Sequence, residues 1–178
     1  MTDRLAAGEF GAWLGELAAA LRGEGETDVA CGSCTACCRS GQFIHIDPDE
    51  HDALARIPST LLFPAPGQPK GTMLMGYDQD GRCPMLSDAG CTIYAHRPRT
   101  CRTYDCRVFA ATGVFPDEPT KVDIATRAVR WEFTYASPAE RERHEQLVEA
   151  AAVLLAAEPD LPATPLVVRV LRQALDPR

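Results

Sequence analysis

The chain lacks any apolar run that approaches the ~20 residues of a membrane-spanning helix. Its first five residues also lack the basic stretch and apolar core that open a secretory signal. Positive charge is not in excess either, since 18 Lys and Arg against 25 Asp and Glu give a net charge of −7. This balance disfavours a broad surface for nucleic acid or anionic membrane. We therefore predict a cytoplasmic protein that binds neither nucleic acid nor membrane.

Motifs of several common enzyme chemistries are missing as well. The chain has no serine nucleophile elbow, no phosphate-binding loop and no paired histidines of a zinc protease. Its histidines are scattered, and only His96 lies within the second group of cysteines, Cys83 to Cys106, where it is an alternative ligand or else a partly exposed side chain. His144 is surrounded by Glu and Arg residues, which predicts a solvated side chain.

Cysteine is absent from most of the chain, because all eight cysteines lie between residues 31 and 106. In a reducing cytosol such thiols bind metal more often than they form disulfides. A disulfide-stapled secreted domain is the alternative. Spacings of two residues let a tight turn direct several sulfur atoms at one soft metal ion or iron–sulfur cluster. We predict that all eight bind metal: Cys31, Cys34, Cys37, Cys38, Cys83, Cys91, Cys101 and Cys106.

The cysteine spacing leaves the metal and the number of centres open. C-x2-C-x2-C occurs in ferredoxin-type cluster loops, and isolated C-x2-C pairs are equally typical of zinc knuckles. Cys37 and Cys38 are adjacent, and adjacent side chains diverge, which predicts unequal roles or separate metal centres. Arg97 and Arg102 lie among the later cysteines, where their charge would offset that of the thiolates.

Hydrophobic periodicity predicts a mostly α fold with a small β-hairpin, in which a metal-stabilised, loop-rich cysteine core is flanked by N- and C-terminal helices. We predict one domain over 1–178, with an N-terminal helix in 1–27, the core in 28–109 and a helical region in 119–178. The predicted elements are a helix over 3–22, a helix from an Asp47 N-cap to about Ile57, a loop over 58–70, a hairpin of strands at 72–77 and 82–83, a short helix from Pro98 carrying Cys101 and Cys106, a helix over 121–133, a helix from a Ser137 capping box to about Ala157, and a final helix from Thr164.

A longer pattern surrounds the cysteines. It reads Cys31-x2-Cys34-x2-Cys37-Cys38, then Cys83-Pro84-x-Leu86, then Cys91-x-Ile93-Tyr94-x2-Arg97-Pro98-x2-Cys101-Arg102-x-Tyr104-x-Cys106. This pattern resembles the YkgJ-type cysteine-cluster (CxxCxxCC) family over about residues 31–107, with the first helix and the region after residue 110 outside it. The resemblance implies a zinc- or iron-chelating centre on the eight cysteines and identifies no reaction.

Three functions remain open from the sequence. The first is an iron–sulfur protein, with a cluster of the four-iron type, that serves electron transfer, redox sensing or a reaction on a partner. The C-x2-C-x2-C loop and the Cys83-Pro84 pair favour it. The second is a zinc-stapled module that binds a partner protein. The third is an iron-dependent enzyme that acts on a small-molecule substrate.

Overall fold

The computed structural model describes residues 3–27, 29 and 31–175. The chain forms two compact units, one of Glu26–Tyr104 and one of Met1–Gly25 with Asp105–Arg178. The single domain over 1–178 stays a prediction, and its outermost residues, 1–2 and 176–178, lie outside the described residues.

The helices are α1 (Phe10–Leu21), α2 (His51–Arg56), α3 (Arg99–Thr103), α4 (Arg107–Thr112), α5 (Val122–Ala128), α6 (Pro138–Ala157) and α7 (Ala163–Leu175). The strands are β1 (Leu5–Glu9), β2 (Ile44–Ile46), β3 (Leu62–Pro64), β4 (Met73–Met75), β5 (Leu86–Ser87), β6 (Gly90–Cys91) and β7 (Trp131–Thr134).

The fold is mixed α/β, with 47% of the described residues helical and about 13% in strands. The prediction of a mostly α fold was therefore too simple, and a metal-stabilised core stays a prediction. Within the part of the chain that the structure describes, no helix is long and apolar enough to cross a membrane.

Strand β1 is the largest departure from the predicted elements of the terminal unit. Residues 5–9 pair in parallel with β7, so the first helix begins at Phe10 and the predicted helix over 121–133 divides into α5 and β7. The register shifts between Ala6 and Gly8, and Gly8 takes a φ of +93°, which a residue with a side chain rarely adopts. A pairing between segments so far apart in the chain leaves no local pattern, which is why the helical prediction failed there.

The helices of the terminal unit bury the faces that their periodicity predicts. Phe10, Trp13, Leu14 and Leu17 of α1 are buried, as are the apolar positions of α7. Helix α6 begins as predicted, because the Ser137 hydroxyl accepts a hydrogen bond from the Glu140 amide at 3.3 Å. Helices α4 and α5 add further buried side chains to the core of this unit.

His144 was predicted to be solvated, and this was wrong. The imidazole stacks on Phe10 at 4.5 Å between ring centroids and lies 2.8 Å from the Tyr135 hydroxyl through Nδ1. Helix α6 directs His144 toward the aromatic core, while its charged sequence neighbours face outward. The charge of those neighbours therefore did not indicate the surroundings of His144.

The Glu26–Tyr104 unit is built on small antiparallel sheets. Strand β4 lies between β2 and β3, and β5 pairs with β6 in a separate two-stranded hairpin. The predicted loop over 58–70 contains β3, whose Pro64 is tolerated because β3 is an edge strand. The strand predicted over 72–77 is confirmed by β4, but the return strand predicted at 82–83 was wrong. The Asp78 carboxylate accepts from the amides of Asp80 and Arg82, which closes a turn without a return strand.

A buried ion pair fixes the start of α4. The Asp105 carboxylate accepts from Arg107 through the backbone amide, Nε and Nη2 at 2.8–3.0 Å, and the Trp13 indole donates to it at 2.9 Å. Arg107 Nη1 also donates to the Ala7 carbonyl at 3.1 Å. Asp105 is 4% exposed and Arg107 7%. Because water solvates neither charge well at this burial, each is stabilised mainly by its partner.

Replacing Asp105 with Ala should lower the free energy of unfolding by about 3–5 kcal/mol, because the Arg107 charge would remain buried without its partner. Urea denaturation of the two proteins measures the difference. Glu24→Ala, which breaks the exposed Arg22–Glu24 pair, is the control and should change stability by no more than about 1 kcal/mol. The double variant Asp105→Ala/Arg107→Met should be more stable than Asp105→Ala alone, and equal stability of the two would contradict the interpretation.

Candidate metal centre

Seven of the eight cysteines belong to the Glu26–Tyr104 unit, and Cys106 belongs to the other unit. All eight lie among the described residues, and the structure contains them as thiols and not as disulfides. Cys37 is exposed, Cys106 is buried, and the other six are partly buried. The alternative of a disulfide-stapled domain therefore has no support in this arrangement.

Two loops that are distant in sequence run side by side at the first cysteine group. The amide of Cys83 donates to the carbonyl of Cys38 at 2.7 Å, and the amide of Gly41 donates to the carbonyl of Gly81 at 2.8 Å. Within the first loop, a tight turn places the Cys34 amide 2.9 Å from the Cys31 carbonyl. The backbone therefore brings the second group of cysteines to the first through main-chain hydrogen bonds.

Cys83 and Cys91 also rest on the small apolar core of this unit. Both pack against a buried cluster, and Cys91 is the last residue of the β5–β6 hairpin. A turn over Ser87–Gly90 joins the two strands and delivers Cys91. The cluster consists of Ile46, Ala53, Ile57, Met75, Met85 and Ile93.

Acidic side chains position Cys101 by holding α3. Glu50 is buried and accepts hydrogen bonds from the amides of Arg99 and Asp47, and Arg99 forms ion pairs with Asp47 at 2.9 Å and Asp49 at 3.0 Å. The predicted Asp47 N-cap of α2 was wrong, because the helix begins at His51 and no side chain caps it. These carboxylates instead bind Arg99 at the start of α3, the helix that carries Cys101. The paired residues lie about fifty positions apart, so the local signals of a helix start cannot reveal the contact.

The thiols of this unit influence one another electrostatically. Burial, followed by the charges of Cys83, Cys91, Cys34 and Cys31, raises the pKa of Cys38 to about 11. Burial, followed by Cys83, Cys38 and Cys91, raises the pKa of Cys101 to about 12, and burial raises the pKa of Cys83 as well. Six thiols therefore belong to one electrostatic group: Cys31, Cys34, Cys38, Cys83, Cys91 and Cys101.

The donor set fits a soft metal by its chemistry. A bound cation relieves the repulsion that opposes several neighbouring thiolates, and sulfur is the donor that zinc and iron–sulfur centres use. Among residues 3–27, 29 and 31–175, however, no three or more His, Cys, Asp or Glu side chains already converge as a ligand group. The thiols are thus gathered in one region, and ligation requires them to close further.

The two arginines predicted to offset thiolate charge differ in their surroundings. Arg97 lowers the pKa of Cys101, although the raising effects dominate, and its guanidinium lies 4.1 Å from the centroid of the Tyr94 ring. Arg102 instead pairs with Glu26 at 2.6 Å and Glu50 at 3.8 Å. Arg97 therefore favours the ionised form of the Cys101 thiol, while Arg102 forms ion pairs with carboxylates.

The remaining sequence candidates have other contacts. The His96 ring lies 3.8 Å from the Asp52 carboxylate on a partly exposed surface. The Cys106 sulfur accepts a hydrogen bond from the Trp131 indole at 3.1 Å, inside the core of its own unit. The sequence analysis did not predict the contact between Cys106 and Trp131. It joins the residue before α4 to β7, and neither residue type indicates such a contact.

A protein family described as "CxxCxxCC: Putative zinc- or iron-chelating domain" matches residues 30–127. The chain belongs to this family. The match covers more than half of the chain and confirms the resemblance, although it continues through α5, beyond the limit near residue 110 set from the sequence. No curated protein and no solved structure in the comparisons matches this chain. The family description supports zinc or iron chelation and leaves the metal undecided.

Cys38→Ser should remove most of the metal from the protein, whereas Cys37→Ser should retain the larger part. Cys38 is partly buried, its carbonyl is bonded to the Cys83 amide, and its thiol interacts with four other cysteines, while Cys37 is exposed. Metal per chain and visible absorption of both purified variants measure the difference. Far-ultraviolet circular dichroism should confirm that both are folded, and equal metal loss would contradict the asymmetry.

The metal-free protein should lose stability as the pH rises above about 9. The folded-state pKa values of Cys38 and Cys101, about 11 and 12, exceed the ordinary 9.0. The unfolded chain therefore releases these protons first, and the free energy of unfolding falls as the pH rises from 9 toward 12. Urea midpoints across this range measure the slope. A Cys38→Ala/Cys101→Ala variant should show a shallower decline, and parallel curves for the two proteins would exclude these thiols as the cause.

Proposed function

We propose that this chain is an iron–sulfur protein whose cluster is held by thiolates of the Glu26–Tyr104 unit. The observation that carries the proposal is the meeting of two loops at Cys38: the Cys83 amide donates to the Cys38 carbonyl at 2.7 Å, and at least six thiols of this unit belong to one electrostatic group around Cys38. One tetrahedral zinc ion takes four ligands, so six coupled thiols exceed the need of a single ion. A cluster with several iron atoms accepts neighbouring thiolates more readily. Cys37 and Cys106 remain candidate ligands from the sequence alone.

The features of the first loop support iron further. Cys31, Cys34 and Cys37 have the C-x2-C-x2-C spacing of ferredoxin-type loops, and Cys83 is followed by Pro84. A bound cluster of the four-iron type would supply one-electron transfer. In this chain, Cys37 and the Tyr94–Arg97 pair lie at the surface, where a redox partner can approach. We accordingly assign the chain a redox or electron-transfer role, in the cytoplasm, with a partner protein.

A zinc-stapled interaction module is the second candidate, and the small size of the apolar core favours it. The buried cluster beneath Cys83 and Cys91 has only six members in the described part of this unit, two of them methionines and one an alanine. A domain with so small a core gains stability from a structural metal ion. Zinc bound by four of the six coupled thiols would satisfy this need without redox chemistry.

Anaerobically purified protein should be brown, should contain iron and acid-labile sulfide, and should bleach with dithionite. Metal analysis, sulfide assay and visible absorption measure these properties. Cys101→Ser is expected to lose the colour, and Ser59→Ala, which changes an exposed hydroxyl of the same unit just before β3, is the control that should keep it. A colourless protein with stoichiometric zinc under the same conditions would contradict the iron–sulfur proposal and support the zinc module.

A further inference from the structure

An open groove of about 790 Å³ lies in the unit formed by Met1–Gly25 and Asp105–Arg178. Its walls come from the start of β1, from α4, from β7 and from the first turns of α6. The volume falls within the roughly 300–1,000 Å³ of typical small-molecule sites. Most of the lining lies beyond residues 30–127, so the chelating-domain description does not account for it.

A tyrosine on the groove wall is held in a fixed orientation. The Tyr135 hydroxyl lies 2.8 Å from Nδ1 of His144, and the imidazole is stacked on Phe10 and meets Phe133 edge-on at 5.4 Å. Burial lowers the pKa of His144, so its imidazole is neutral near pH 7 and can accept the tyrosine proton in a hydrogen bond. The aromatic wall is therefore rigid before any ligand enters.

An arginine at the same wall is available for an anion. The Arg141 guanidinium lies 4.5 Å from the centroid of the Tyr135 ring and is exposed. Arg4, also in the lining, pairs with Glu132 at 2.9 Å, whereas Arg141 has no carboxylate partner in the part of the chain that the structure describes. The groove thus combines aromatic faces with one guanidinium whose charge is not neutralised by an ion pair.

We propose that this groove binds an aromatic carboxylate. The planar guanidinium of Arg141 matches a carboxylate through two parallel hydrogen bonds, and the rings of Phe133 and Tyr135 offer faces and edges to an aromatic ring. A singly charged carboxylate matches the single unpaired charge of Arg141, because Arg4 and Glu132 in the lining form an ion pair with each other. The proposed site requires no particular metal, although Trp131 in its lining also donates a hydrogen bond to the Cys106 sulfur.

Calorimetric titration of the full-length protein in its metal-containing form, with benzoate as the probe, tests the proposal. Arg141→Gln should weaken benzoate binding by about tenfold or more, because it removes the charged bidentate contact. Arg143→Gln is the matched control: two positions along α6 place it roughly 200° around the helix, and its affinity should equal that of the unaltered protein. Cyclohexanecarboxylate and inorganic phosphate are the comparison probes, and both should bind more weakly than benzoate.

Each possible result either supports or overturns benzoate binding in the groove. Saturable benzoate binding that is weakened by Arg141→Gln and unaffected by Arg143→Gln supports the site. Absence of benzoate binding to the folded protein, or equal binding by both variants, overturns it. Cyclohexanecarboxylate or phosphate that binds as tightly as benzoate overturns the assignment to aromatic carboxylates.

Discussion

The burial of neighbouring thiols, together with the repulsion among them when they ionise, is the constraint on which the Glu26–Tyr104 unit depends. Burial, followed by the charges of four other cysteines at Cys38 and of three at Cys101, raises the pKa of both thiols, so without a cation these groups keep their protons well above neutral pH. The backbone nevertheless holds them together, through the Cys83 to Cys38 hydrogen bond and the β5–β6 hairpin. A fold that gathers groups which repel one another when ionised is organised for a positively charged occupant.

The chain's cations are used mainly to hold structure. Arg99 joins α3 to Asp47 and Asp49, Arg102 pairs with Glu26, and Arg107 completes the buried pair with Asp105. Arg97 differs from these three arginines, since its charge lowers the pKa of the Cys101 thiol. Carboxylate–arginine pairs therefore hold the helix that carries Cys101, and they leave most of the arginine charge in this region already paired.

The two units carry different chemistry. The cysteine unit has soft donors and a small apolar core, which suits a metal centre that is both structural and reactive. The unit built from the chain ends has a core of aromatic and aliphatic side chains, a buried ion pair and an open groove with a hydrogen-bonded Tyr–His pair. The groove proposed for a small molecule is lined by residues of the terminal unit, whereas seven of the eight cysteines lie in the Glu26–Tyr104 unit.

The sequence by itself determined the family, the cysteine set and the strongest helices. The cysteine spacing is local and specific, and the Ser137 capping box and the apolar stripe of α1 act within a few residues, so they could be recognised without a structure. Only the tertiary structure decided the contacts between distant segments. These are the β1–β7 pair, the hydrogen bond from the Arg99 amide to Glu50, the hydrogen bond from the Trp131 indole to Cys106 and the stacking of His144 on Phe10. Local propensity cannot anticipate these, because their free energy comes from partners that lie tens of residues away and become neighbours only when the chain folds.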